Sequence, residues 1–139
     1  MKRAEDRGSI SILFMCSLFV ITMIIALTVD GSGQIRTRQR AADVAAEAAR
    51  VGAQGIELTT AIRGGRKTIN HASATTLVTS YLKTMGATLV SIGFTNGDTR
   101  ITVKIRLRFT AALMPFFNQD EYGVATAVLL QVDDTGAVT

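Results

Sequence analysis

Few side chains in this 139-residue chain are equipped for catalysis. It holds one histidine, His71, and one cysteine, Cys16. An activated nucleophile needs a base within hydrogen-bond reach and a third group to orient that base. His71 falls near the start of a helical pattern, where a surface or capping role is the default, and no partner for it is visible in the sequence. Cys16 lies inside an apolar run. Paired carboxylates could serve as general acid and base. Asp43 and Glu47 do share a helix face, but Arg40 and Arg50 sit three residues from them, which reads as charge pairing. Asp120 and Glu121 are adjacent, so on an extended chain they point apart. Asp98, Asp133 and Asp134 fall in turn and tail sequence. One His and one Cys cannot supply a zinc site of the usual kind. Gly64-Gly65-Arg66-Lys67 sets two glycines beside two bases, yet it lacks the spacing and the trailing Lys-Ser/Thr of a phosphate-binding loop. It reads as a solvated turn. The expectation is a protein that works by contact: no enzyme, no cofactor, no metal.

The remaining chemistry is charge. The formal net charge is +4. Nucleic acid is not an expected partner, because no recognition motif is present and aromatics are few. Arg100, Lys104, Arg106 and Arg108 alternate with Ile101, Val103, Ile105, Leu107 and Phe109. This period of two describes a strand with one dry face and one basic face, which is either solvated or turned to an acidic partner or to headgroups. Arg36, Arg38 and Arg40 follow an apolar segment closely and suit acidic lipid headgroups.

That apolar segment decides how everything else is positioned. Residues 9–29, SISILFMCSLFVITMIIALTV, contain no charge, amide or proline. A helix of this length rises about 30 Å, the thickness of a bilayer's hydrocarbon core. The run is too long for a signal peptide's apolar region, and no small-x-small cleavage site follows it. Phe14 and Met15 before Cys16 do not fit a lipoprotein site. An uncleaved transmembrane helix is expected. Lys2, Arg3 and Arg7 precede it, and Arg36, Arg38, Arg40 and Arg50 follow, so charge counting leaves the orientation open. With tail and anchor set aside, about 110 residues remain, enough for one small domain.

After the anchor, Asp30-Gly31-Ser32-Gly33 allows a kink or hinge, although a continuous helix is compatible. Residues 34–54 are alanine-rich and strongly helical. Ala42, Ala45, Ala46, Ala49 and Ala53 form a stripe of small side chains, suited to packing on the chain's own domain or on a partner. Residues 56–67 read as a loop. Residues 71–85 return to helical spacing through Leu77, Val78, Tyr81, Leu82 and Met85, with Asn70 or Ser73 as N-cap and Gly86 just past the end. Residues 88–95 and 99–109 read as strands joined by an Asn96-Gly97-Asp98 turn. Residues 111–117 form an apolar link with the only proline, 118–122 a polar turn, 123–132 a last strand, and 133–139 a polar tail. The expected class is α+β: a transmembrane helix, an Ala-rich helix, then one helix on an antiparallel sheet of three or more strands. The segments are a tail at 1–8, the span at 9–29, the Ala-rich helix at 30–55 and the α+β domain at 56–139.

Three stretches together carry a resemblance. They are Asp6-Arg7-Gly8-Ser9, the run ending in Leu27-Thr28-Val29-Asp30, and Arg38-Gln39-Arg40-Ala41-Ala42-Asp43-Val44-Ala45-Ala46-Glu47-Ala48-Ala49. They resemble the N-terminal signature of TadE/TadG-like proteins, the pseudopilin-like and accessory components of tight-adherence (Flp) pilus assembly. The later order of Tyr81-Leu82, the strand at 101–107, Phe117 and Gly123-Val124-Ala125-Thr126-Ala127 is also similar. The resemblance implies a pilin-like α+β fold in the cytoplasmic (inner) membrane, single-pass, with the N-terminus inside and the domain outside. It implies assembly or anchoring of a pilus or related secretion apparatus, with other such components and the bilayer as partners and self-association compatible with either role. The signature positions are Asp30 at the membrane edge, Gln39, Ala42, Asp43, Ala46 and Ala49. Prepilin-type processing in this family follows a glycine and wants a glutamate five residues on. Cleavage between Gly8 and Ser9 would put Leu13 there, so an unprocessed TadG-like anchor fits better. The alternative is a membrane-anchored binding or envelope domain unrelated to pili.

Overall fold

A computed structural model of the chain describes residues 6–56 and 68–129. The sequence before Asp6, the turn at 64–67 and the expected strand end at 130–132 with the tail beyond it lie outside the described residues. The architecture is α+β. A first helix, α1 (Asp6–Ala53), is followed by α2 (His71–Met85) and three strands, β1 (Thr88–Thr95), β2 (Arg100–Phe109) and β3 (Gln119–Val128). A single 3₁₀ turn, Pro115–Phe117, interrupts the link between β2 and β3.

The span and the Ala-rich segment are one uninterrupted 48-residue helix. Gly31 and Gly33 do not hinge it. At Gly33 the missing side chain is used, since a Cβ there would meet Phe109 Cε2 at 3.0 Å. At Gly31 nothing lies within 4 Å of such a Cβ. Every residue from Ile10 to Ile25 is exposed, on all sides of the helix. The core helix of a soluble protein would be largely buried; this segment is long and apolar enough to cross a membrane. Its two threonine hydroxyls are satisfied internally: Thr22 donates to the Leu18 carbonyl and Thr28 to that of Ile24, each at 2.8 Å. That is how a lipid-exposed hydroxyl avoids an unpaired proton.

The C-terminal half of α1 lies across the inner face of an antiparallel sheet of order β1-β2-β3. Ala41, Ala45, Ala48 and Ala49 are fully buried against Val78, Leu82, Ile101, Val103 and Ile105. The buried face is therefore rotated from the anticipated stripe: Ala45 and Ala49 pack inward, while Ala42 and Ala46 are exposed. Small side chains let the backbones come close. A Cβ on Gly123 would collide with the carbonyl of Ala41, so β3 crosses α1 where neither chain carries bulk. At Gly52 a Cβ would meet Val78 Cγ2 at 2.8 Å.

Helix α2 begins at Asn70, whose side chain accepts from the Ser73 N–H at 3.0 Å, and ends at left-handed Gly86 (φ 68°). It buries Ala74, Val78 and Leu82, while Leu77 is exposed. Strand β2 alternates buried and open positions as its sequence dictates. Strand β3 starts at Gln119, not at Gly123. The polar run 119–122 pairs in register with β2, from Phe109↔Gln119 to Arg106↔Tyr122, because that stretch of β2 has no other neighbour on this side. Strand β1 carries an irregularity between Leu89 and Ser91, which leaves Val90 exposed.

Candidate functional site

The most specific arrangement lies at the foot of the domain, where the apolar half of α1 gives way to the packed half. Asp30 is 4% exposed. A carboxylate this buried needs several donors, and it has three in succession. It accepts the backbone N–H groups of Ala112 (2.8 Å), Leu113 (3.2 Å) and Met114 (2.8 Å), from residues 82–84 positions later in the chain. Three converging N–H groups form a concave nest for an anion, and bonds to an ionised acceptor are the stronger kind. Asn118 closes the loop by accepting the Ala111 N–H at 2.8 Å. One turn above Asp30, Gln34 donates to Gln119 at 3.1 Å and Glu121 at 2.9 Å. The link at 111–118 is thus bound to the helix at the end of its apolar run. The signature aspartate does not end the helix; it clamps a distant loop to it. Its place at the span's edge is legible in the sequence, but its partner, backbone from a link with no distinctive polar residue before Asn118, is not.

The other signature positions fall on two sides of α1. Gln39, Ala42, Asp43 and Ala46 are exposed, on the surface facing away from the sheet. Ala49 is fully buried in the core. Gly8 and Ser9 lie in the first turn of α1.

The basic residues of β2 form a row on the outer face of the sheet, partly engaged by β3. Arg106 Nη1 lies 3.3 Å from Asp120 Oδ2, Lys104 Nζ sits 5.4 Å above the Tyr122 ring, and the Thr102 and Thr126 hydroxyls are 3.0 Å apart. Arg100 and Arg108 flank this row and are exposed. An open pocket of about 430 Å³ at the lower end is lined by Gly86, Thr88, Arg106, Arg108, Asn118 and Asp120, among others. At the opposite end, His71 has a partner that the sequence did not reveal. Its Nε2 lies 2.8 Å from Asp98 Oδ1, and its ring stacks on Phe94 with centroids 3.9 Å apart. The turn that presents Asp98 uses three consecutive left-handed residues, Asn96, Gly97 and Asp98. The pair is about half exposed and ties the start of α2 to the β1–β2 turn. Among the described residues no group of three or more His, Cys, Asp or Glu could hold a metal ion.

Residues 8–55 match the family model described as "Putative Flp pilus-assembly TadE/G-like". The N-terminal segment of this chain is similar to TadE/G-like proteins. The match begins at Gly8 and runs through the apolar span, Asp30 and the alanine face to Gly55, almost the full length of α1. The matched segment therefore contains the helical half of the clamp, and the link between β2 and β3 supplies the other half. No curated protein and no solved structure matches the chain.

Proposed function

We propose that the chain is a bitopic component of a Tad/Flp-type pilus assembly or related secretion apparatus that acts by anchoring and by protein–protein contact. In this reading residues 9–29 cross the cytoplasmic membrane, the N-terminus is inside, and the α+β domain stands outside. The observation that carries it is the coincidence of the TadE/G-like match with one continuous helix, apolar and exposed on all sides from Ile10 to Ile25 and packed on its own sheet above Asp30.

Two surfaces are free to meet other assembly components. One is the outer side of α1 with Gln39, Ala42, Asp43 and Ala46; the other is the sheet row of Arg100, Lys104, Arg106 and Arg108. Small exposed side chains on a helix favour close approach of a second helix. Ala42→Leu with Ala46→Leu should lower recovery of partners cross-linked in the native host's membranes, without changing the amount of folded protein. Charge reversal at Lys104 and Arg108 should do the same if the sheet row is a contact. Unchanged cross-linking in both variants would leave the contact role without a surface.

Orientation is tested with Cys16→Ser and Asn96→Cys, the latter in the exposed turn between β1 and β2. A membrane-impermeant maleimide should label it from outside intact cells. Labelling only after lysis would reverse the topology. The mass of the protein from native membranes tests for processing. An intact N-terminus, allowing for removal of Met1, fits an anchor, and loss of residues 1–8 would make it a pseudopilin.

A further inference from the structure

We infer that the link between β2 and β3 is a second membrane contact, its Leu113 and Phe116 side chains entering the lipid beside the transmembrane helix. The inference rests on the reading of residues 9–29 as the span. Asp30 holds the backbone of Ala112, Leu113 and Met114 at the level where the apolar run ends. Because α1 is continuous, that hydrogen-bonded clamp sets the depth of the link as firmly as the depth of Asp30 itself. At this depth the link presents apolar groups outward: Leu113 is 55% exposed and Phe116 78%. Two large apolar side chains exposed within four residues, at the end of an exposed apolar helix, are grouped as at a membrane or interaction site and not scattered singly. Below the clamp, Ala26 lies one turn nearer the N-terminus on the face of Asp30 and is 8% exposed, while its neighbours Ile25 and Leu27 are open. The covered face of α1 therefore extends below Asp30, into the apolar run.

The surroundings have the composition of an interfacial element. Arg36, six residues past Asp30 on α1, and Arg108, three residues before Ala111 on β2, are exposed, and Pro115 begins the turn that presents the apolar tip. Apolar residues directed at the acyl boundary with bases at headgroup level are how a segment lies in a membrane surface without crossing it. The same depth argument selects lipid over a second protein as the occupant: a surface at the end of a transmembrane helix faces headgroups whatever else the domain binds.

The chain has no tryptophan, so one introduced indole reports alone. Phe116→Trp and, separately, Leu113→Trp would be made in the full chain and reconstituted into phosphatidylethanolamine–phosphatidylglycerol vesicles, with and without brominated acyl chains. Phe19→Trp, inside the span, is the positive reference, and Val128→Trp, at the far end of β3, is the negative one. The expected result is blue-shifted emission and bromine quenching at 116 and 113 approaching that at 19, with none at 128. Red-shifted, unquenched emission at both link positions, with 19 quenched, overturns the inference and leaves the span intact. Blue-shifted but unquenched emission at both also overturns it, in favour of burial against protein. Loss of quenching at 19 would instead remove the span reading on which the inference rests.

Discussion

The two halves of α1 are the same secondary structure built for different solvents. From Ile10 to Ile25 the helix shows large apolar side chains on every side, and nothing among the described residues covers them. From Ala41 to Ala49 its inward side chains are small and are completely covered. Bulk and symmetry suit lipid, which accepts any apolar contour. Smallness and one-sidedness suit a sheet whose backbone must come close, as β3 does at Gly123. The difference shows that burial in this chain is set by side-chain size as much as by hydrophobicity. The boundary between the two regimes is fixed by one carboxylate.

Breaking that boundary should have the largest effect. Asp30→Ala removes the shared acceptor of three backbone donors, at a cost of about 1–3 kcal/mol for each N–H group left buried without a partner. It should appear as a lower guanidinium midpoint for the purified protein in detergent, followed by far-UV circular dichroism. Asp30→Asn, which keeps an acceptor oxygen, should lie between this variant and the parent chain. Within the packed half, size itself can be tested. Ala45→Leu inserts bulk where there is none to spare and should cost about 1–3 kcal/mol. Ala46→Leu, next to it but exposed, should stay within about 0.5 kcal/mol of the parent chain. Equal effects of the two would mean that the helix is rotated from the orientation described. At the junction, Gly31→Ala meets no atom and should stabilise by about 0.5–1 kcal/mol through helix propensity. Gly33→Ala gains the same propensity but must displace the Phe109 ring, so its thermal midpoint should stay close to the parent's. Smallest is the His71–Asp98 pair. A double-mutant cycle with His71→Ala and Asp98→Ala should give a coupling of about 0.2–1 kcal/mol, as expected for exposed ion pairs.

Elements with a local signature were legible. The span was plain from its length and lack of charge, β2 from its strict alternation, and α2 from its caps at Asn70 and Gly86. Non-local features were not. Alanines at 41, 42, 45, 46, 48 and 49 spread over an arc of about 160° at 100° per residue; that arc includes exposed Ala42 and Ala46 as well as the buried alanines, so contact with the sheet decides which part of it is covered. Gln119, Asp120 and Glu121 look like a turn, and become strand because β2 above Phe109 needs a neighbour. The Asp30 clamp joins a side chain to backbone amides more than eighty positions away, and amides carry no sequence signal. Gly123 was the one long-range clue available, since a glycine inside an apolar strand often marks close backbone approach.

The absence of a break at Gly31-Ser32-Gly33 also has a mechanical consequence. A 48-residue helix is about 70 Å of stiff rod, its first half apolar and exposed and its second half packed in the domain. A leaning of the lower half by about 10° swings its upper end sideways by roughly 6 Å, given the rise per residue of a helix. The helix is a lever with its fulcrum at Asp30. A sideways displacement of the apolar half would reach the far end of the domain with no joint in between to absorb it.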